Sequence, residues 1–282
     1  MNRLAKTILV FSILFFLVYF LPEVLHLGGW WDLAVQAPFI ALSAMVFYKV
    51  IASEGADVSG KRMLVLQAFM VLSFFIFFEG HGMHWTANSI EVLIAENIPF
   101  IYLASFVFPL SNVPAQLYFW TIYPKIYYLD EMLGHQLVYT GFFLLLVSGM
   151  VLEIWTGEHE PLEKVDYAAI IVAAGIISFL MVQAVIEGQF VPQSIVLSVL
   201  ILIVFPLAMR GRVSMKESPF VLFVIISVIL LLAGILLYGL MTDPLYAAFV
   251  GPWPQPSEAK RLLNQFLVFN YWNELKWLLL LL

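Results

Sequence analysis

The chain contains no cysteine, so disulfides, thiolate metal sites and cysteine nucleophiles are excluded whatever its compartment. Charge is scarce too. Asp, Glu, Lys and Arg make up 11% of the 282 residues, against 63% hydrophobic, and soluble domains carry about twice that charged fraction. The net charge of −6 is spread through short loops with no basic run, which argues against a nucleic-acid partner and against a polybasic lipid-surface patch. Length alone would suggest roughly two soluble domains. No polar linker is long enough to separate them, and we expect one transmembrane helical domain over residues 1–282. Histidine is rare, at five residues, so its placement carries information.

What the chain does have is apolar runs of span length, about 20 residues each. They imply an all-α, polytopic helical bundle, because only helices and closed barrels satisfy their backbone in lipid. The first span, about Ala5 to Leu27, follows Arg3 and Lys6; no small-residue cleavage site follows its apolar core, so it reads as a span rather than a secretory signal. The second runs from about Leu33 to Ala52. The third begins after Lys61-Arg62 and continues through Phe78 into a histidine motif. From Glu91 to Leu129 the chain is aromatic and carries Pro99, Pro109, Pro114 and Pro124, which suggests short interfacial or re-entrant helices. Four further spans follow, from Glu131 to Trp155, Tyr167 to Ile186, Ser194 to Met209 and Pro219 to Met241. That makes seven, or eight if Leu262 to Leu282 crosses.

Orientation follows from cations near the span ends. Arg3, Lys6, Lys49, Lys61, Arg62, Lys164, Arg210, Arg212 and Lys216 fall on one side if the proline-rich stretch does not cross. That side, with the N-terminus, is expected to be cytoplasmic. The opposite face is acidic, and on it meet the end of the third span, the start of the fourth and the Glu187-Gly188 break.

Ionisable side chains at membrane depth are expensive and usually pair or bind an ion. The motif Glu79-Gly80-His81-Gly82-Met83-His84-Trp85 puts two histidines in one apolar segment. His81, His84, Asn88 and Glu91 follow at helical steps of three, four and three and so share a face. Glu131 and His135 do the same at a step of four. Three imidazoles and two carboxylates suit zinc or iron, and also copper or manganese, better than calcium or magnesium, which prefer oxygen throughout. We therefore expect a divalent-metal site of His81, His84, His135, Glu131 and Glu91, with Glu131 or Glu91 as general base. Glu79 lies about 200° from His81 on an ideal helix, and joins only as an outer partner through distortion at Gly80 and Gly82. Asn88, Asp130 and Glu187 are the other outer candidates. Asp130 reads first as a helix N-cap, and Glu187 equally as a surface carboxylate.

Histidine-box desaturases need more histidines than this chain has, and no His-Glu-x-x-His protease run occurs. In architecture the chain resembles the seven-span zinc hydrolase superfamily of alkaline ceramidases and adiponectin receptors, which place histidine and acid ligands within a bundle. It departs from their motif: no His-x-x-x-His stands in a late span, and no histidine follows His159. The leading expectation is an integral-membrane metalloenzyme near the extracytoplasmic face that acts on a lipid or other apolar substrate by hydrolysis or oxidation. Its partners are membrane lipids, and it could serve as a subunit of a larger membrane complex. One alternative is an ion- or proton-coupled transporter or channel that uses the same acids and histidines. Another is a haem b protein with His81 or His84 facing His135.

Overall fold

A computed structural model describes residues 1–25, 32–54, 60–107, 125–126, 128–156, 161–188, 190–210 and 214–242. Every regular element among them is helical. In chain order these are α1 (Arg3–Leu25), α2 (Ala37–Glu54), α3 (Gly60–Val107), α4 (His135–Thr156), α5 (Lys164–Glu187), α6 (Val191–Met209) and α7 (Pro219–Thr242). Wider π-helical turns lead into α2 at Asp32–Gln36 and into α4 at Tyr128–Gly134.

Five helical stretches are long and apolar enough to cross a membrane: Gly60–Ala87, Tyr128–Thr156, Lys164–Ile186, Val191–Ala208 and Pro219–Leu240. Ala34–Val50 is apolar but shorter. Residues 262–282, the candidate eighth span, lie outside the described residues. Large apolar side chains such as Leu42, Val65, Phe75 and Leu236 are more than 60% exposed. A water-soluble surface rarely tolerates so many; lipid does.

The third helix departs from expectation. The sequence suggested that it gives way from Glu91 to short interfacial or re-entrant helices. Instead α3 runs on through Pro99 to Val107, 48 residues in all. At 1.5 Å per residue that is roughly 72 Å, far beyond the ~30 Å hydrocarbon core. One interior proline removes a single backbone bond and kinks a helix, and strong helix formers such as Leu93 and Ala95 precede it here. Within α3, Gly60–Ala87 has the length and apolar character of a span, with His81 and His84 near its end. Residues 108–124, with Pro109, Pro114 and Pro124, lie outside the described residues.

Hydrogen bonds tie one end of the bundle together. The Asn2 side-chain carbonyl caps α1 by accepting from Leu4 N and Ala5 N, while Asn2 N donates to Asp166 at the start of α5. Arg3 reaches Ser53 at the end of α2, and Gln67 donates to the Tyr48 hydroxyl, which joins α2 to the start of α3. Leu162 N donates to the Lys216 carbonyl. These links collect Arg3, Lys6, Lys49, Lys61, Arg62, Lys164 and Lys216 at one end, and Arg210 closes α6 on the same side.

Glu153, fully buried near the end of α4, accepts from Phe220 N at 3.0 Å and Val221 N at 2.7 Å. These amides open α7 and have no partner within their own helix. A carboxylate there meets the positive end of the helix dipole, an effect of about 0.3 to 2 kcal/mol. Pro219, the first residue of α7, has no amide to leave unpaired. Glu153 is thus a cap for α7 supplied by a neighbouring helix.

Helix α4 is central, and α3, α2 and α7 all pack against it. Lipid tails are as apolar as leucine, so helices associate through close packing rather than through escape from water. The α3–α4 seam is close because it is made of glycine. A Cβ on Gly141 would lie 2.6 Å from Phe77 N, and one on Gly80 would overlap Val138 N and come within 2.8 Å of the Gly134 carbonyl oxygen. A separate recess lined by Phe11, Phe47, Phe142, Leu146 and Phe220 contains no histidine.

Candidate histidine–aspartate site

Phe77, His81 and His84 stand at steps of four and three on α3, the face turned to α4. His81 is 6% exposed, with the Phe77 ring edge-on at 4.6 Å between centroids. Among the described residues neither of its ring nitrogens has a hydrogen-bond partner. Leaving a buried donor or acceptor unsatisfied costs about 1 to 3 kcal/mol.

One turn on, His84 Nδ1 pairs with the Asp130 carboxylate, and Asp130 is only 2% exposed. The His84 ring also lies 4.2 Å from that of His135, centroid to centroid. The approach depends on Gly134, where a Cβ would lie 3.0 Å from His84 N. His135 in turn stacks on Tyr139 at 5.8 Å and 7° between ring planes. Across them sits the α5–α6 break: a Cβ on Gly188 would come within 2.9 Å of His135 Cβ, and Phe190 packs on Tyr139 at 5.5 Å. The end of the α3 span, the start of α4 and the Glu187-Gly188 break therefore meet.

Asp130 enters this cluster because of how the chain winds. On an α-helix, residues five apart lie about 140° from one another, which would turn Asp130 away from His135's partner. The π-helical turn over Tyr128–Gly134 has i→i+5 bonding, which brings residues five apart onto one side, a feature often found at functional sites. The capping role expected of Asp130 gives way to a buried pair with His84.

Glu79 is exposed, as its position on the opposite face of α3 implied, and the glycines do not distort the helix to bring it in. Gly82, unlike Gly80, faces open space. The backbones of Asn88, Glu91, Glu131 and Glu187 are helical, but their side chains lie outside the described residues. Among the described residues no three histidine, aspartate or glutamate side chains form a group able to hold one ion. His81, His84 and His135 are thus neighbours without forming a three-histidine ligand set. Tyr139 and the glycines of the seam are the members that sequence reasoning missed; glycine at 134 and 141, one heptad apart, was their only signal.

Comparison with protein-family models, with curated proteins and with solved structures finds no match to this chain.

Proposed function

We propose that the protein is an integral-membrane metalloenzyme, with a divalent ion held by His84 and His135 and completed by carboxylate from Glu131 or Glu91. The observation that carries this reading is the convergence on one span end of His84, His135 and Asp130, beside a buried His81 with both ring nitrogens unpaired. Apolar surroundings rarely contain such a set without an ion or a proton to handle. Zinc or iron suits the nitrogen and oxygen donors, with copper or manganese as variants. Such an ion would make bound water acidic enough for hydrolysis or, if iron or copper, would support oxidation. Glu131 or Glu91 is then the general base. The substrate is a lipid or another apolar molecule that reaches the span end from the bilayer.

Metal analysis of the detergent-purified full-length protein is the test. About one equivalent of zinc, iron, copper or manganese is expected, and a protein free of all four sinks the reading. Reduced-minus-oxidised absorption spectra check the haem b alternative at the same time. A transporter would also need acids toward the other end of the bundle, and Glu153, near the far end of α4, accepts from the α7 amides.

Two further features belong to this reading. With α1 and α2 added to the five long apolar helices, the bundle has seven spans. The cations gathered at one end make that end cytoplasmic by the positive-inside rule, so the N-terminus is cytoplasmic and the histidines are extracytoplasmic. A Gly82→Cys variant carries the chain's single thiol, in a position with room for it. It is expected to react with an impermeant maleimide added outside intact cells. Labelling only after permeabilisation reverses the orientation.

A further inference from the structure

We propose that the phenylalanine-lined recess holds one acyl chain of an anionic glycerophospholipid, whose headgroup rests against Lys49, Lys61 and Arg62. No histidine is among its described lining residues, so the inference depends neither on a metal nor on which end of the bundle faces the cytoplasm. The floor of the recess is α4, where Phe142, Leu146 and Leu152 line it over about 15 Å of helix rise. Its walls are α2, from Ile40 to Tyr48, and α3 at Met70. The space is therefore elongated along the helices, as an acyl chain is. Ile40, Phe47, Leu152 and Phe223 are buried, whereas Ala44, Tyr48, Met70 and Leu146 are partly exposed. The open side thus lies between α2 and α3, whose outer faces carry Leu42 and Val71, both more than 60% exposed. Such a mouth meets lipid tails rather than water.

At one end Tyr48 closes the gap, because its hydroxyl donates to Met63 Sδ at 2.8 Å and accepts from Gln67 Nε2 at 3.1 Å. Lys49 follows Tyr48, and Lys61 and Arg62 precede Met63, so three cations stand at that end of the recess. All three are exposed, and among the described residues none is in an ion pair. The sequence has no long basic run to announce them; the fold gathers them from two helices. Ligand pockets are lined mainly by apolar groups with a few polar ones, and here Ser43 and Tyr48 are the polar lining. Basic sites between membrane helices take anionic headgroups. A neutral apolar molecule would fill the recess and leave the cations without a counter-charge. An anionic phospholipid satisfies both.

Native mass spectrometry of the delipidated, full-length protein in detergent, titrated with phosphatidylglycerol or with phosphatidylcholine of the same chains, is the test. One phosphatidylglycerol is expected to bind about tenfold more tightly than phosphatidylcholine. Lys61→Gln combined with Arg62→Gln should bring the two lipids close to equal affinity. Ala44→Phe, which sets a ring in the mouth, should lose the single tight lipid, and Val204→Phe on the exposed side of α6 should keep it. Equal affinity of the wild type for both lipids, or a tight lipid that survives Ala44→Phe, overturns the proposal. A second measurement needs no variant. Phosphatidylglycerol with a diazirine in its acyl chain, added to the wild type and activated by light, should label Ala44, Met70 and Leu146 in preference to the outer face of α6. Even labelling of all the lipid-facing helices would mean annular lipid only, and would overturn the proposal whatever the titrations give.

Discussion

His135→Ala is expected to strip the metal from the purified protein while the bundle remains folded. The loss should exceed the roughly 10- to 100-fold drop in affinity that follows removal of a mere outer partner of a ligand. Folding should survive because the α3–α4 seam is held by backbone contact at Gly80, Gly134 and Gly141 and by Phe77, Val138 and Phe142. His84→Ala should lose the metal equally but is the harsher test of stability. It leaves the buried Asp130 carboxylate without its partner, and breaking a buried pair in this way costs about 3 to 5 kcal/mol. His84→Ala combined with Asp130→Asn should recover part of that stability and none of the metal. Metal content and thermal unfolding in detergent, measured side by side, check all three. Full metal content in both single-histidine variants ends the assignment of these residues as ligands.

How much of this could be read from the sequence depends on which physical signal each feature leaves there. Long apolar runs are explicit, and the five helices of span length follow from them. The clustering of cations at one end was also legible, since alternate crossing of the membrane sorts the loops without any tertiary knowledge. The meeting of His84 with His135 followed from the same alternation, which brings the end of one span level with the start of the next. The role of Asp130 was not legible. Helical spacing of 3.6 residues favours Glu131 as the partner of His135, and only a local change to π winding brings Asp130 round to His84. Nor was the length of α3, where a lone proline at residue 99 and many aromatics suggested a break that the intervening helix formers override. Nor was the role of Glu153, whose partners are backbone amides of α7 with no signature in the sequence near it.

Two alanine substitutions, two residues apart on α3, should have opposite effects. At Gly82 nothing lies within 4 Å of an added Cβ. A helical glycine replaced by alanine there should raise stability by about 0.5 to 1 kcal/mol, because the unfolded chain loses conformational freedom and nothing is displaced. At Gly80 the same methyl group overlaps Val138 N and lies 2.8 Å from both the Gly134 carbonyl oxygen and Leu137 Cβ. Two of these three obstacles are backbone, which cannot turn aside as a side chain can, so α3 and α4 must separate. Overpacking of this kind costs about 1 to 3 kcal/mol and occasionally more. The consequence extends beyond stability, because the seam that admits Gly80 also sets how closely His84 approaches Asp130 and His135. Gly80→Ala should therefore unfold several degrees below the wild type and lose metal affinity, while Gly82→Ala unfolds at or above the wild-type temperature with its metal intact. Gly141→Ala, whose Cβ would lie 2.6 Å from Phe77 N, should resemble Gly80→Ala in stability. Its effect on the metal should be smaller, because it opens the seam about two turns from His135. Equal unfolding temperatures for Gly80→Ala and Gly82→Ala would mean that the two helices do not touch through their backbones, and that the histidines are brought together by something other than this glycine seam.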